Sequence, residues 1–466
     1  MAIELSNLTF TEQDDLVPQS GMEEIVNSGI ANTLAGNDTI NGRGGIYSIL
    51  NIGTLNTADG NDIITAIRSF EIIEEYPNDF GAGIRNEGGT IDTGDGNDTL
   101  TGVHNFNQRK NSFDGYGIDN ERGIIDTGNG DDLITGLNQA VGGVGIRSLS
   151  GIINTGDGSD RVIATARVGI SSVETAFNTG NGDDRIEATS NTEFGVGIVN
   201  QSGSIDTGAD NDLISGSGFV GIANTIGSTI NTGDGNDRIS SISNQASIEN
   251  YGTINTGNGY DSIISRGGNL INWGEVLLGD GNDSLAYDDY VADVPTRTLE
   301  NFNFIGTGDG NDTITSTGAI YNQGIIETGD GDDFIIVDGG VDGTGTGYGI
   351  YNNGGAINTG DGKDSIIANE GFDSGPNSSG AWFLGEGDDY IKGFGSGDFY
   401  GGNGFDTLEL TPGSYTLQKW TDNTGESVIF TKGNSLMITS EFEQLIAGGT
   451  TYDFTSLTAG QIIIAS

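Results

Sequence analysis

The chain of 466 residues contains no cysteine, 5 prolines, 1 histidine and only 17 basic residues. Without cysteine it can form neither a disulfide nor a thiolate metal site, so any bound metal is a hard cation held by oxygen. The basic residues stand against 67 acidic ones, and the formal net charge is −50. This charge argues against nucleic acid and anionic membranes as partners, and it makes divalent cations the natural counterions.

Long hydrophobic runs are also missing. No window reaches membrane-spanning length, and the first residues, MAIELSNLTFTEQDDLV, contain neither the basic segment nor the apolar stretch of a secretory signal. If the protein leaves the cell, we expect a different export signal. Glycine is abundant, at 82 residues, but it lacks the one-in-three period and the proline content of collagen.

One phrase recurs along nearly the whole chain, as in IDTGDGNDTL at 91–100, INTGDGNDRI at 230–239 and IETGDGDDFI at 326–335. We call the last aspartate of each phrase the marker aspartate. Many of the shorter steps between markers are close to 24 residues, as from Asp160 to Asp184, which is typical of stacked repeats. The markers are Asp38, Asp62, Asp98, Asp132, Asp160, Asp184, Asp212, Asp237, Asp261, Asp283, Asp312, Asp333, Asp364, Asp389 and Asp406.

A second phrase, such as GIRNEG at 83 or GIYNNGG at 349, precedes many markers. Each repeat is therefore expected to contain two glycine-rich corners and two short strands with alternating apolar residues. Stacking aligns isoleucine over isoleucine and asparagine over asparagine. The sequence predicts an all-β fold, a parallel β-solenoid of about 15 coils with a small C-terminal β cap. The expected domains are an N-terminal cap at 1–35, the repeats at 36–409 and the C-terminal cap at 410–466.

The Gly-(Asp/Asn)-Gly-x-Asp corners place backbone carbonyls and carboxylates close together. Calcium takes 6 to 8 oxygen ligands in flexible geometry, so these corners favour Ca²⁺ over Mg²⁺, with multiple ions expected. Ala58 and Asp210 replace corner glycines, and the sites at Asp62 and Asp212 are expected to be weak or empty. The candidate metal ligands are Asp95, Asp98, Asp132, Asp157, Asp160, Asp184, Asp234, Asp237, Asp261, Asp280, Asp283, Asp309, Asp312, Asp330, Asp333, Asp361, Asp364, Asp389 and Asp406.

Two tandem nonapeptides, LGEGDDYIK at 384–392 and GGNGFDTLE at 401–409, resemble the GGxGxDxUx repeat of the RTX (repeats-in-toxin) calcium-binding family. This resemblance implies a hemolysin-type β-roll and type I secretion through an uncleaved C-terminal segment, here 410–466. From about 36 to 370 each coil keeps only one nonapeptide-like half. One file of calcium sites is therefore expected where the family has two.

Other interpretations remain open. Asp and Asn cap turns well without metal, although a metal-free stack would place like charges in a column. The threonines at 93, 127, 155, 179, 232 and 256 leave open an ice or surface binder, but they share the face of the core isoleucines, which favours inward side chains. His104 is expected to be a solvated loop residue, and Arg161, Arg185 and Arg238 are expected to be outward, charge-balancing residues.

The sequence therefore predicts a secreted or cell-surface protein that folds on binding Ca²⁺ outside the cell and has a structural or surface-interaction role. It is not expected to be an enzyme. The alternative is a β-helical polysaccharide-acting enzyme, a lyase, epimerase or hydrolase with RTX repeats. Calcium ions are the expected partners, with a cell-surface glycan or protein as a further candidate; neither nucleic acid nor a membrane span is expected, and the oligomeric state is left open.

Overall fold

A computed structural model describes residues 2–18, 23–69, 81–105, 115–288, 298–341, 347–375, 380–421 and 425–466. The chain divides into two compact units, Met1–Asn255 and Thr256–Ser466. In the described ranges the helical elements are two 3₁₀ turns, Leu5–Asn7 and Phe454–Ser456. The predicted fold class is confirmed, because the rest of the regular structure is β-strand and the repeats pair in parallel. Two longer steps between markers contain the polar segments 74–83 and 104–117, which the sequence suggests are loop insertions, and most of both segments lies outside the described residues.

Each coil of the first unit contains three strands, where the sequence suggested two. The first strand follows the marker aspartate, and the first strands are Thr39–Arg43, Ile63–Arg68, Thr99–His104, Leu133–Asn138, Arg161–Ala166 and Arg185–Ser190. The second strand carries the GIxN phrase: Ile25–Asn27, Tyr47–Asn51, Ala82–Glu87, Tyr116–Glu121, Val144–Leu149, Val168–Val173 and Val196–Gln201. Two longer strands, Leu213–Asn224 and Arg238–Asn250, join a first and a second strand without a break.

The third strand leads into the next corner. The third strands are Ile30–Asn32, Thr54–Asn56, Thr90–Asp92, Ile124–Asp126, Ile152–Asn154, Ala176–Asn178, Ser204–Asp206, Thr229–Asn231 and Thr253–Asn255. Two short N-terminal strands, Ile3–Glu4 and Leu16–Val17, pair in parallel with Ile25–Asn27 and Thr39–Arg43. The prediction missed one strand per coil because a buried asparagine, and not only glycine, turns the chain between the second and third strands.

The parallel register places equivalent residues over one another. Leu100 pairs with Ile134, Ile118 with Ile146, and Ile91 with Ile125. The three strands of each coil thus contribute one buried apolar column each. This narrow core is the main source of stability that a chain with so few apolar residues can offer.

A buried asparagine ladder runs beside the apolar columns, as the stacking argument predicted. Asn51 donates from Nδ2 to Asn86 Oδ1 over 2.8 Å, and Asn86 does the same to Asn120 over 2.8 Å. Each of these amides also donates to a carbonyl of the following turn; for Asn86 this is Ile124 O at 3.0 Å. The ladder therefore satisfies the backbone at the turn that separates the second and third strands.

The second unit repeats this arrangement. Its first strands are Ser262–Arg266, Ser284–Asp288, Thr313–Ser316, Phe334–Val337, Ser365–Ala368, Tyr390–Lys392, Thr407–Leu410 and Gln444–Ala447. Its second strands are Asn269–Asn272, Thr298–Asn301, Ala319–Asn322, Ile350–Asn352 and Phe372–Asp373. Its third strands are Glu275–Leu277, Phe304–Gly306, Ile325–Glu327, Ala356–Asn358, Ala381–Glu386 and Gly397–Asn403, and a small hairpin joins Gly340–Val341 to Gly347–Tyr348.

The segment after residue 409, for which a small β cap is expected, forms antiparallel strands in the second unit. Gly413–Thr421 pairs with Glu426–Lys432 and with Ile462–Ala465, and Ser435–Ser440 pairs with Glu426–Lys432. Ser435–Ser440 also pairs in parallel with the third strand Gly397–Asn403. This small sheet covers the edge of the last third strand, which would otherwise offer unpaired backbone groups. A last short strand, Thr450–Asp453, pairs with Gln444–Ala447.

The turn after the second strand contains a left-handed residue that is glycine in only some coils. Gly88 has φ 67°, while Ser202 has φ 53° at the equivalent place. A left-handed conformation costs a non-glycine residue about 1–2 kcal/mol in the folded chain. Glycine avoids this cost, but its conformational entropy stabilises the unfolded chain by about 0.4–1 kcal/mol. Ser202→Gly is therefore expected to raise the free energy of unfolding by about 0.5–1 kcal/mol.

Gly88→Ala is the matched reverse change, because a methyl group on Gly88 would meet no atom within 4 Å. It should lower the free energy of unfolding by a similar amount. Urea denaturation at saturating calcium measures both. Equal stabilities for Gly88→Ala and the parent chain would contradict this account of the turn.

Candidate metal centre

The corner between the third strand and the next first strand has a buried side and an exposed side. In the corner 93–98, Thr93 and Asp98 are buried while Asp95 and Asn97 are exposed. Gly96 has φ 152°, and a Cβ on it would lie 1.5 Å from the carbonyl oxygen of Gly60 in the preceding coil. Close stacking of the corners therefore requires glycine, and the glycine carbonyls are directed along the stack.

The marker aspartates are joined by a hydrogen-bonded ladder inside each unit. The backbone N–H of each marker donates to the Oδ1 atom of the marker in the following coil, as from Asp62 to Asp98 at 2.7 Å and from Asp333 to Asp364 at 2.9 Å. In the second unit the last link runs from the Asp406 N–H to Glu443 Oε2 at 2.8 Å. One carboxylate oxygen per corner is thus committed to holding successive coils in register.

The second carboxylate oxygen of these side chains is buried and accepts no hydrogen bond. This is true of Oδ2 in thirteen markers: Asp38, Asp62, Asp98, Asp132, Asp160, Asp184, Asp212, Asp283, Asp312, Asp333, Asp364, Asp389 and Asp406. Each of these residues is at most 2% exposed. A buried anionic oxygen without a partner is costly, and neighbouring coils lie about 4.8 Å apart, so the carboxylates also repel one another.

Burial raises the pKa of these carboxyls strongly. It raises the pKa of Asp132 and of Asp212 to about 8, and that of Asp333 to about 7. The hydroxyl of the corner threonine and the backbone N–H of the preceding marker offset part of the effect, whereas the adjacent markers add to it by charge repulsion. Negative charge in the columns at neutral pH is therefore unfavourable, and a cation that compensates for it would stabilise the folded chain.

The structure separates the nineteen predicted ligands into two groups. Twelve are markers, and their buried side chains form the columns. Seven lie on the exposed side of the corners: Asp95, Asp157, Asp234, Asp280, Asp309, Asp330 and Asp361. Asp95 accepts from Asn129 Nδ2 at 2.7 Å, and Asp157 accepts from Asn181 Nδ2 at 2.8 Å. The sequence could not tell which side of the corner each aspartate faces.

The two irregular corners differ in how closely they follow the regular backbone path. Ala58 has φ 61°, near the 84° of the equivalent Gly94, whereas Asp210 has φ 81° at a position where Gly96 has 152°. Asp62 and Asp212 retain their ladder bonds. The low calcium affinity expected at these two corners stays a prediction.

Sequence reasoning was wrong about His104. It ends the strand Thr99–His104, is 2% exposed, and lies between Arg68 Nη1 at 2.9 Å and Asn138 Oδ1 at 3.3 Å. Burial and the Arg68 charge lower its pKa to about 4, so the imidazole is neutral. The mistake arose because HNFNQRK looks like a polar loop, although the strand alternation continues through His104.

Two other expectations are confirmed. Arg161, Arg185 and Arg238 are exposed, and Arg161 pairs with Glu187 at 3.1 Å. Thr93 and its equivalents point inward and are at most 1% exposed, which argues against this column as an outer binding surface.

The chemistry of a corner is that of a single buried carboxylate among neutral oxygens. Among the described residues, no three Asp, Glu or His side chains converge on one point. A cation held here would take carboxylates from adjacent coils and complete its coordination with carbonyl and hydroxyl oxygens, which suits a hard ion with flexible geometry. In the same part of the chain, no helix has the length and apolar character needed to cross a bilayer.

No protein-family model matches the chain, and no curated protein matches it. Among solved structures, the chain is similar to a hyperactive, Ca²⁺-dependent, β-helical antifreeze protein from an Antarctic bacterium, with 17% identity over 98% of this chain and 95% of that chain. The TM-score is 0.37. At this similarity neither the fold nor the site described above rests on the likeness.

Proposed function

We propose that the protein is a calcium-binding repeat protein that folds when Ca²⁺ fills its corners, and that it has a structural or surface-interaction role outside the cell. The observation that carries the proposal is the column of buried Oδ2 atoms without a hydrogen-bond donor. Bound calcium would neutralise adjacent marker carboxylates. The marker aspartates would hold it by charge, and their Oδ1 atoms would keep the coils in register.

The residues fit calcium in three respects. The carboxylates are buried and lack a counter-charge on their free oxygen. The donor set is entirely oxygen, since the chain has no cysteine and its one histidine is engaged elsewhere. The net charge of −50 would oppose compaction until cations bind. The resemblance of 384–409 to RTX nonapeptides supports the same ion.

The proposed location follows from this coupling between calcium and folding. Calcium is scarce in cytosol and plentiful outside cells, so the acidic repeats would remain unfolded until export. Residues 410–466 would then serve both as the cap of the second unit and as the type I secretion segment that the RTX resemblance implies. A partner outside the cell would be a glycan or protein at a cell surface.

A pair of neighbouring aspartates tests the site. Asp333 is a buried marker, whereas Asp332 is exposed. Asp332 Oδ1 accepts a hydrogen bond from the Lys363 N–H at 2.9 Å, as the marker Oδ1 atoms accept from backbone N–H groups. An asparagine at either position can accept the same backbone hydrogen bond through its Oδ1 atom, but it carries no charge. Asp333→Asn should therefore lose about one or two calcium ions per chain, because a site shares carboxylates of adjacent coils.

Equilibrium dialysis with Ca²⁺ measures the number of ions bound. Asp332→Asn should bind as many ions as the parent chain, and distant coils should be unaffected in both variants because each coil contacts only its neighbours. A parent chain that binds no calcium, or equal losses in the two variants, would contradict the proposal.

A further inference from the structure

The corner threonine is the one polar side chain that shares the buried side of the corner with the marker aspartate. Thr93 and Asp98 occupy the first and last positions of their corner, and both are 1% exposed. The hydroxyl of Thr57 is also the largest influence that offsets burial at the Asp62 carboxyl, which places the two groups within interaction range. The same relation holds for Thr328 with Asp333. At Asp364 the Thr359 hydroxyl also offsets burial, although less than the Asp333 N–H does.

The single proton of this hydroxyl has two possible acceptors. Thr328 Oγ1 donates to the Thr359 carbonyl at 3.1 Å, and Thr359 Oγ1 donates to the Leu384 carbonyl at 2.8 Å. The proton is then directed along the stack, and the marker Oδ2 receives no hydrogen bond. With the proton in this orientation, lone pairs of the hydroxyl and of Oδ2 face the same buried space, which is the arrangement that a cation satisfies. Without a cation, the hydroxyl can instead turn its proton toward the carboxyl.

Three corners of the second unit lack this oxygen: two have leucine in its place, and the corner before Asp406 has Gly401. Leu278 and Leu384 occupy the threonine position, are at most 1% exposed, and precede Asp283 and Asp389. The marker ladder continues through both, with Asp261 N–H to Asp283 Oδ1 at 2.7 Å and Asp364 N–H to Asp389 Oδ1 at 2.8 Å. The coils therefore stack in the same way with or without the hydroxyl, and the difference between these corners is one of available oxygen ligands.

We propose that the corner threonine hydroxyl is a calcium-affinity determinant, so that corners with Thr bind Ca²⁺ more tightly than the two corners with Leu278 and Leu384. This inference rests on the proposed function and assigns to the sites a graded order of filling. The carboxylate supplies the charge at every corner, and the hydroxyl adds one neutral oxygen at most of them. A cation in a leucine corner must keep a water molecule or accept a lower coordination number.

The gain-of-ligand variant is Leu384→Thr, with Leu384→Val as its control, because valine has the shape of threonine without the hydroxyl. Trp382 is fully buried two residues before this position and stacks on Phe399 at 4.3 Å. It can excite terbium bound in the adjacent corner, and Ca²⁺ displaces the terbium. Leu384→Thr should lower the calcium concentration for half displacement several-fold, while Leu384→Val should not lower it.

The loss-of-ligand variant is Thr359→Val, with Thr359→Ser as the control that keeps the hydroxyl. Thr359→Val should weaken calcium binding several-fold and reduce the ions retained in dialysis at a half-saturating calcium concentration. Thr359→Ser should stay within twofold of the parent chain. In urea at saturating calcium, the free energy of unfolding of Thr359→Val should fall only by the amount that its weaker calcium binding accounts for. A larger loss relative to Thr359→Ser would indicate a structural role.

The outcomes distinguish this inference from the proposed function. If the parent chain binds no calcium, the proposed function fails. If it binds calcium but Leu384→Thr matches Leu384→Val and Thr359→Val matches Thr359→Ser, the hydroxyl is no ligand and only the present inference is overturned.

Discussion

Chelation of calcium at pH 8 is expected to abolish the parallel β structure of the chain. The far-ultraviolet circular dichroism spectrum should change from a β spectrum to that of an expanded chain, and it should return when Ca²⁺ is added in excess. The reason is that the two marker columns would otherwise stack ionised, buried carboxylates with no compensating charge. Ions that bind only the folded chain stabilise it by mass action.

Magnesium at the same concentration is the control for general screening of the charge of −50. It should restore less structure, because it keeps its water and fits irregular oxygen cages poorly. A full β spectrum in excess chelator at pH 8 would show that the columns need no cation.

The pH dependence of the calcium-free chain is expected to run opposite to that of the calcium-loaded chain. Burial raises the pKa of Asp62 to about 6, of Asp184 to about 7 and of Asp212 to about 8, above the ordinary value near 4. The folded state therefore binds more protons than the unfolded state between these values. Without calcium, stability should be greatest near pH 4 and should be lost as the pH rises through about 6 to 8.

With calcium the order reverses, since protons displace the ions as the pH falls. Circular dichroism at pH 4 and pH 8, with chelator and with Ca²⁺, gives the four conditions required. Asp132→Asn should raise the stability of the chelated chain at pH 8, because it removes a carboxyl whose pKa burial raises to about 8. Asp131→Asn, at the exposed neighbour, controls for net charge. An equal effect of both variants, or a chelated chain more stable at pH 8 than at pH 4, would refute this coupling.

Much of the fold followed from spacing in the sequence. Alternation placed Ile91, Thr93 and Leu100 on the buried side, and all three are there. The paired glycines of each phrase marked the corners, because the close contact of Gly96 with the Gly60 carbonyl admits no side chain. The asparagine ladder followed from stacking of the GIxN phrases.

The remaining features depend on backbone geometry that spacing does not reveal. Asp95 and Asp98 are both aspartates of the same corner, yet only Asp98 faces inward, because the backbone turns through Gly96 between them. The threonine that begins most corners was expected to point inward, but its place beside the marker carboxyl emerged only from the three-dimensional path. The burial of His104 depends on packing between coils, which a single repeat does not show.

The most direct test of the account is the calcium content of the folded protein. Purified protein is passed through a desalting column into calcium-free buffer and analysed for metals, beside a sample first treated with chelator. The account predicts calcium in roughly one ion per corner, lost together with the β structure on chelation. A folded chain with no bound calcium and an unchanged β spectrum after chelation would contradict it.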